Sequence, residues 1–146
     1  MFTFNQKRIL IIMLITLFGC ALAIYTYLFP YVDRVIKVNN QHIFVQERTN
    51  TEQWQKGLSD RKSLCNHCGM LFLFPQKQQK GFWMKDMRFD IDILWIHDTE
   101  VVHIEKNVSH KTPEKVYKPK ETANAVLELP AGKAQELNIQ EGAIIE

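Results

Sequence analysis

Gly69–Ile96 reads GMLFLFPQKQQKGFWMKDMRFDIDILWI, two dense apolar runs around one short polar turn. Met70–Phe74 stops at Pro75, and Gly81-Phe82-Trp83-Met84 follows five residues later. Runs this short, rich in aromatics and bounded by Gly and Pro read as buried strands rather than helices. The reading extends outward in both directions. Upstream, Arg34–Val38 and His42–Val45 flank Asn39-Asn40-Gln41, the signature of a hairpin. Thr49 with Glu52 three residues on forms a capping box that opens a short helix, which Gly57 stops. Downstream, strands are expected at Gly81–Lys85, Ile91–His97, Val101–Glu105, Ala125–Leu129 and Ala143–Ile145, with a second short helix over Ala131–Leu137. Lys106–Asn124 is polar and lysine-rich, without apolar period, and is expected to be a long loop of functional or mobile character. A chain dominated by strands, with two short helices, predicts a mainly β fold: a compact β-sandwich or barrel-like domain.

The same phrases resemble a known family, DUF192, small bacterial and archaeal domains of unknown function. Its phrases GMLF-x-F, FWMK and LDIL are matched by Gly69–Phe74, Phe82–Lys85 and Ile91–Leu94. Its helix and GLM-x-R are matched around Glu52–Arg61, its E-N-V strand end at Val101–Val108, and its V-L-E-L-x-A-G close at Ala125–Gly132. The resemblance covers residues 34–146 and implies the same β architecture. The chain departs from the pattern at Ser59, at Asp86-Met87, and at Asp90, where proline is usual.

Residues 1–30 are a separate matter. Ile9–Phe29 carries no charge and follows Lys7-Arg8. As a helix it would span about 31 Å, the thickness of a bilayer core. Basic residues ahead of the span place the N-terminus in the cytoplasm and residues 31–146 on the extracytoplasmic side, with Tyr25, Tyr27, Phe29 and Tyr31 at the interface. A signal peptide cleaved near Ala21-Leu22-Ala23 and a lipoprotein signal ending at Cys20 are the competing readings. The apolar run continues nine residues past Cys20, longer than a signal core, which favours an uncleaved signal-anchor. All three export the domain. Once Lys7 and Arg8 are set aside, residues 31–146 hold equal numbers of basic and acidic side chains, 16 of each. A neutral domain offers no electrostatic footprint for nucleic acid, and that class is excluded.

Alternation supplies a candidate site. Pairing Phe82–Lys85 with Ile91–Ile96, apolar faces inward, leaves Trp83, Lys85, Asp92, Leu94 and Ile96 on the other face. Lys85 then lies opposite Asp90 or Asp92, depending on register. Arg61, Lys85, Asp92 and Glu128 all fall inside the family-like phrases, and polar groups in apolar phrases are costly to bury unpaired. These four and Trp83 are the expected ligand-binding residues. The plainer alternative is a structural Lys–Asp pair with Trp83 in the core. As a catalytic set, Asp92 and Glu128 would act as acid and base with Lys85 tuning them.

Cys65-Asn66-His67-Cys68 admits three readings: a small disulfide, half of a zinc site with His67 or another histidine, or a redox pair. Outside the cytoplasm close thiols oxidise, so a Cys65–Cys68 disulfide is expected. A lone C-x-x-C is not a zinc ribbon. A thioredoxin-type motif needs a helix start after a strand, and none is evident. Asn107-Val108-Ser109 matches a glycosylation acceptor, a pattern common by chance. No cofactor is expected beyond the zinc alternative. The functional expectation is a membrane-tethered binding module for a small polar or cell-envelope ligand, such as a saccharide or carboxylate. The alternatives are an envelope hydrolase using Asp92 or Glu128, and an accessory subunit whose lysine loop docks a membrane partner.

Overall fold

The computed structural model describes residues 4–28 and 32–146, with side chains in the first stretch described for residues 11–23. The chain divides into two units, Met1–Val32 and Asp33–Glu146. Among its described residues the first holds one helix, α1 (Phe4–Leu28). The predicted span Ile9–Phe29 runs past the described side chains at both ends. Those of residues 11–23 cover about 20 Å of helix axis. Among the described residues, no helix is long and apolar enough to cross a membrane.

The second unit is mainly β, with strands β1 (Arg34–Val38), β2 (Gln41–Arg48), β3 (Cys68–Gln78), β4 (Phe82–Trp83), β5 (Ile91–His97), β6 (Glu100–Val108), β7 (Val116–Tyr117) and β8 (Ala123–Pro130), and helices α2 (Thr51–Lys56) and α3 (Lys133–Glu136). Six strands form one sheet in the order β1-β2-β3-β8-β5-β6, and β4 with β7 forms a second, two-stranded sheet. The large sheet is mixed: β2 and β3 run parallel, joined through α2, while its other pairs are antiparallel. It is not a closed barrel. Instead, the segment Ala143–Glu146 reaches both outer strands through two isolated bridges, Val38 with Ile145 and Glu100 with Ile144. Lys37 and Glu146 exchange backbone bonds of 2.8 and 2.9 Å there.

Local chemistry explains several elements. Asn39 and Asn40 both have positive φ, 47° and 65°, which gives the two-residue hairpin turn that asparagine favours. The helix predicted after Thr49 is present, but its cap is one residue later. Asn50 accepts from Gln53 N at 3.0 Å, and the Gln53 side chain returns to Thr49 N at 2.9 Å. An asparagine competes well with threonine for this position, and Gln53 fills the partner role given to Glu52. Gly57 ends the helix with φ 46°.

The sheet is buried on both faces. One face carries Ile36, Val38, Ile43, Val45, Leu94, Leu127 and Leu129 against Ala134, Leu137 and Ile139 of the α3 region. The other carries Met70, Phe72, Phe74, Ile91, Ile93 and Trp95 beneath Leu58, Met84 and Tyr117. Gly69 is where β3 approaches β8. A Cβ there would lie 3.0 Å from Leu127 Cδ1, 3.1 Å from Leu129 Cδ2 and 3.2 Å from the Glu128 carbonyl. Chemical denaturation of Gly69→Ala is therefore expected to show a loss of about 1–3 kcal/mol from overpacking; unchanged stability would mean that the two strands separate freely.

Two expectations are corrected. Phe82–Lys85 does not pair with Ile91–His97. Phe82 faces Tyr117 and Trp83 faces Val116 in the β4–β7 ladder, while β5 lies between β8 and β6. A strand with two neighbours and both faces covered has no half-polar surface to offer, so Lys85 is not opposite Asp90 or Asp92. The long lysine loop is also shorter than expected: β6 runs to Val108, and Val116–Tyr117 forms a strand inside it.

Candidate functional site

Antiparallel register decides which side of the sheet each polar residue occupies. Glu128 of β8 is the partner of Met70 on β3 and of Ile93 on β5. Directly opposed residues share a face, so Glu128 lies with the aromatic cluster above the sheet. Asp92 of β5 is the partner of Leu129, on the opposite face. The two carboxyls proposed as an acid–base pair are therefore separated by the sheet.

Their surroundings differ as sharply as their positions. Asp92 is fully buried and accepts from three backbone N–H groups: Asn107 at 2.8 Å, Gly132 at 3.2 Å and Ala134 at 2.8 Å. It ties β6 to the turn that opens α3. Glu128 is buried, and among the described residues its Oε2 has no hydrogen-bond partner. Desolvation pushes its carboxyl up to about 8, with the nearby Arg61 charge opposing the rise. At neutral pH Glu128 is thus a neutral acid with an O–H to donate.

Above Glu128 is a cavity of about 370 Å³. Among its lining residues, Phe72, Phe74 and Phe82 form apolar walls, Leu58 and Ser59 come from the turn after α2, and Trp83, Lys85 and Val116 lie on or beside β4 and β7. Phe82 stacks edge-on against Phe72 at 5.0 Å and Trp95 at 6.0 Å, so the walls are set by interlocked rings. A smaller recess lined by Gln55, Ser59, Trp83, Lys85 and Asp86 shares all but Asp86 with the main cavity. The rim is clasped by local bonds. Ser59 Oγ donates to the Lys85 carbonyl at 3.1 Å, and Asp60 N donates to the Asp86 carbonyl at 2.8 Å. Ser59 and Asp86, two departures from the family pattern, are therefore both part of the clasp.

Of the five residues expected at a site, Trp83, Lys85 and Glu128 line one cavity. Arg61 is not a lining residue. It donates from Nη2 to Gln46 Oε1 at 2.6 Å, where Arg48 also donates at 3.0 Å, and its charge reaches Glu128. Asp92 is spent on the backbone. Asp90, the other expected partner of Lys85, bonds the His110 ring at 2.6 Å and its backbone N at 2.8 Å; the His110 backbone bond and then its ring hold the Asp90 carboxyl below the usual range. Phe72, Phe74 and Phe82 were not singled out in the sequence as site residues. The period-2 spacing of Phe72 and Phe74 with Met70 was the available signal for a shared face.

Cys65 and Cys68 form a disulfide at the start of β3, so neither sulfur is a thiolate for zinc. Among the described residues no cluster of three potential metal ligands occurs.

Fold and cavity together define a small mixed-sheet β domain with an aromatic pocket over one face of the sheet. The DUF192 family, described as Uncharacterized ACR, matches residues 34–146, and the chain belongs to it. Two solved structures resemble it, each at 26% identity and TM-score 0.73. One is a protein of unknown function from Novosphingobium aromaticivorans DSM 12444, with 77% of this chain and 83% of that chain covered. The other is a proposed transcription regulator from Sinorhizobium meliloti 1021, with 80% and 95% covered. No curated protein matches.

Proposed function

We propose that the chain is a membrane-tethered, extracytoplasmic binding domain that holds a small ligand in the cavity beneath Trp83. One observation carries this reading: a buried carboxyl with an unpartnered oxygen, Glu128 Oε2, at a cavity wide enough for a small molecule. A buried polar atom without a partner costs about 1–3 kcal/mol, and a ligand group that accepts from the Glu128 hydroxyl recovers that cost. The aromatic walls supply area, and Trp83, 56% exposed at the mouth, supplies a flat surface for a ring or a sugar face. Arg61 acts through Glu128. Asp92 holds the scaffold, which leaves the hydrolase reading without its second carboxylate.

The tether rests on sequence. Lys7-Arg8 precede an uncharged run, the helix there is 25 residues long, and the apolar side chains from Ile11 to Leu22 are exposed. A helix apolar all round is suited to lipid. The Cys65–Cys68 disulfide suits an oxidising compartment.

Trp83 and Val116, cross-strand neighbours that are 56% and 49% exposed, favour a second reading, an accessory subunit that docks a partner there. The two are separated by titrating the full chain in nanodiscs with cell-envelope saccharides and small aromatic acids, followed by tryptophan fluorescence. Saturable binding is expected, weakened by up to about tenfold in Glu128→Met, which removes the donor, and in Trp83→Ala, the scale of one buried hydrogen bond or aromatic contact. Binding indifferent to both substitutions would remove the pocket from consideration.

A further inference from the structure

The pocket reading leaves the class of ligand open, and the charges at the mouth narrow it. Three lysines line the main cavity, Lys56, Lys80 and Lys85, and they are not equivalent. Lys56 is tied to Asp60 at 2.7 Å, and Lys80 lies over the Trp54 ring, 5.9 Å from its centroid. Lys85 lines both the cavity and the outer recess, yet among the described residues its ammonium has no hydrogen-bond or ion-pair partner. Its backbone is held in place by the Ser59 bond to its carbonyl. The acidic groups at this end are Asp86, in the outer recess only, Asp60, already engaged, and Glu128, at the buried end. The main cavity therefore presents a positive rim above apolar walls and a hydrogen-bonding floor.

We infer that the pocket takes a small amphipathic anion, an apolar ring or short chain bearing a carboxylate, whose anionic group pairs with the Lys85 ammonium at the mouth while its body lies between Phe72, Phe82 and Trp83. The inference rests on the pocket reading and specifies its ligand. The cation at the rim gives orientation and preference among ligands of one shape; the ring walls supply most of the contact area. Partial enclosure strengthens the pair relative to a fully exposed one, because fewer waters compete for the ammonium. Glu128, neutral at pH 7, adds no opposing charge at the floor.

The test uses the full chain in nanodiscs at pH 7 and calorimetric titration with two isosteric series. The first is indole-3-acetate, tryptophol and tryptamine; the second is 4-phenylbutyrate, 4-phenylbutanol and 4-phenylbutylamine. In at least one series the anion is expected to bind about five- to tenfold tighter than the alcohol, between an exposed ion pair and a buried hydrogen bond to a charged group, with the amine weakest. Lys85→Met should bring the anion and the alcohol to equal affinity, and Lys85→Arg should retain the preference. Equal affinities within each series, or preference for the amine, would overturn the anion assignment and leave the pocket standing. An anion preference that survives Lys85→Met would overturn the role of Lys85. No binding from either series would overturn the inference and the pocket reading together.

Discussion

Replacing Asp92 with alanine is expected to cost about 3–5 kcal/mol, since three backbone N–H donors lose their acceptor in a buried site and each orphaned donor costs about 1–3 kcal/mol. Not all three donors are equally enclosed: those of Asn107 and Gly132 are part-buried, and that of Ala134 is buried. The loss is a large fraction of the stability of a domain of this size, typically about 5–15 kcal/mol. Asp92→Asn should fall between, because its one carbonyl oxygen still accepts while its amide faces a donor. Urea denaturation of the three proteins measures the order directly. An alanine variant within about 1 kcal/mol of the parent would show that those N–H groups find water instead, and Asp92 would return to the list of candidate functional groups.

Glu128→Gln should do the opposite as pH rises from 4.5 to 8. The Glu128 carboxyl has an ordinary value of 4.5 and is raised to about 8 by burial. Between those values the folded protein holds a proton that the unfolded chain has released. Stability therefore falls as pH rises through that window, by up to about 1.4 kcal/mol per unit, and levels off above pH 8. A glutamine has no proton to lose. Thermal unfolding should find the variant close to the parent near pH 4.5 and increasingly more stable toward pH 8, with this part of the slope removed. Parallel stability curves across pH 4.5–8 would mean that Glu128 is ionised in the native state, with Arg61 compensating for its burial. The pairing of results is informative in itself. One buried carboxyl group holds the fold, and the other weakens it.

Much of this was legible in the chain. The hairpin could be read from Asn39-Asn40, the buried strands from the GMLFLF and IDILWI runs, and α2 from its polar start and Gly57. Trp83, Lys85 and Glu128 were identifiable because they are polar or amphipathic residues set within apolar phrases. What could not be read was pairing. Val116–Tyr117 is too short to show any period, so nothing in the sequence marked it as the partner of Phe82–Trp83, and proximity along the chain pointed to Ile91–Ile96 instead. That one substitution of partners put Asp92 on the wrong side. An aspartate that accepts from the backbone and one that faces a ligand look identical in sequence, because the distinguishing donors, Gly132 and Ala134, are about forty residues away.

The bridges made by Ala143–Glu146 have a consequence for the order of assembly. Lys37 and Glu146 are 109 positions apart, so bringing them together closes the longest kind of loop this domain contains, and little is gained until the intervening sheet exists. The segment is thus set to dock last. Until it does, β1 and β6 both present unpaired backbone, and a second chain in the same condition could add to either. The four residues act as a latch on two open edges at once, and the interval before they settle is when a crowded population of these chains is most exposed to mispairing.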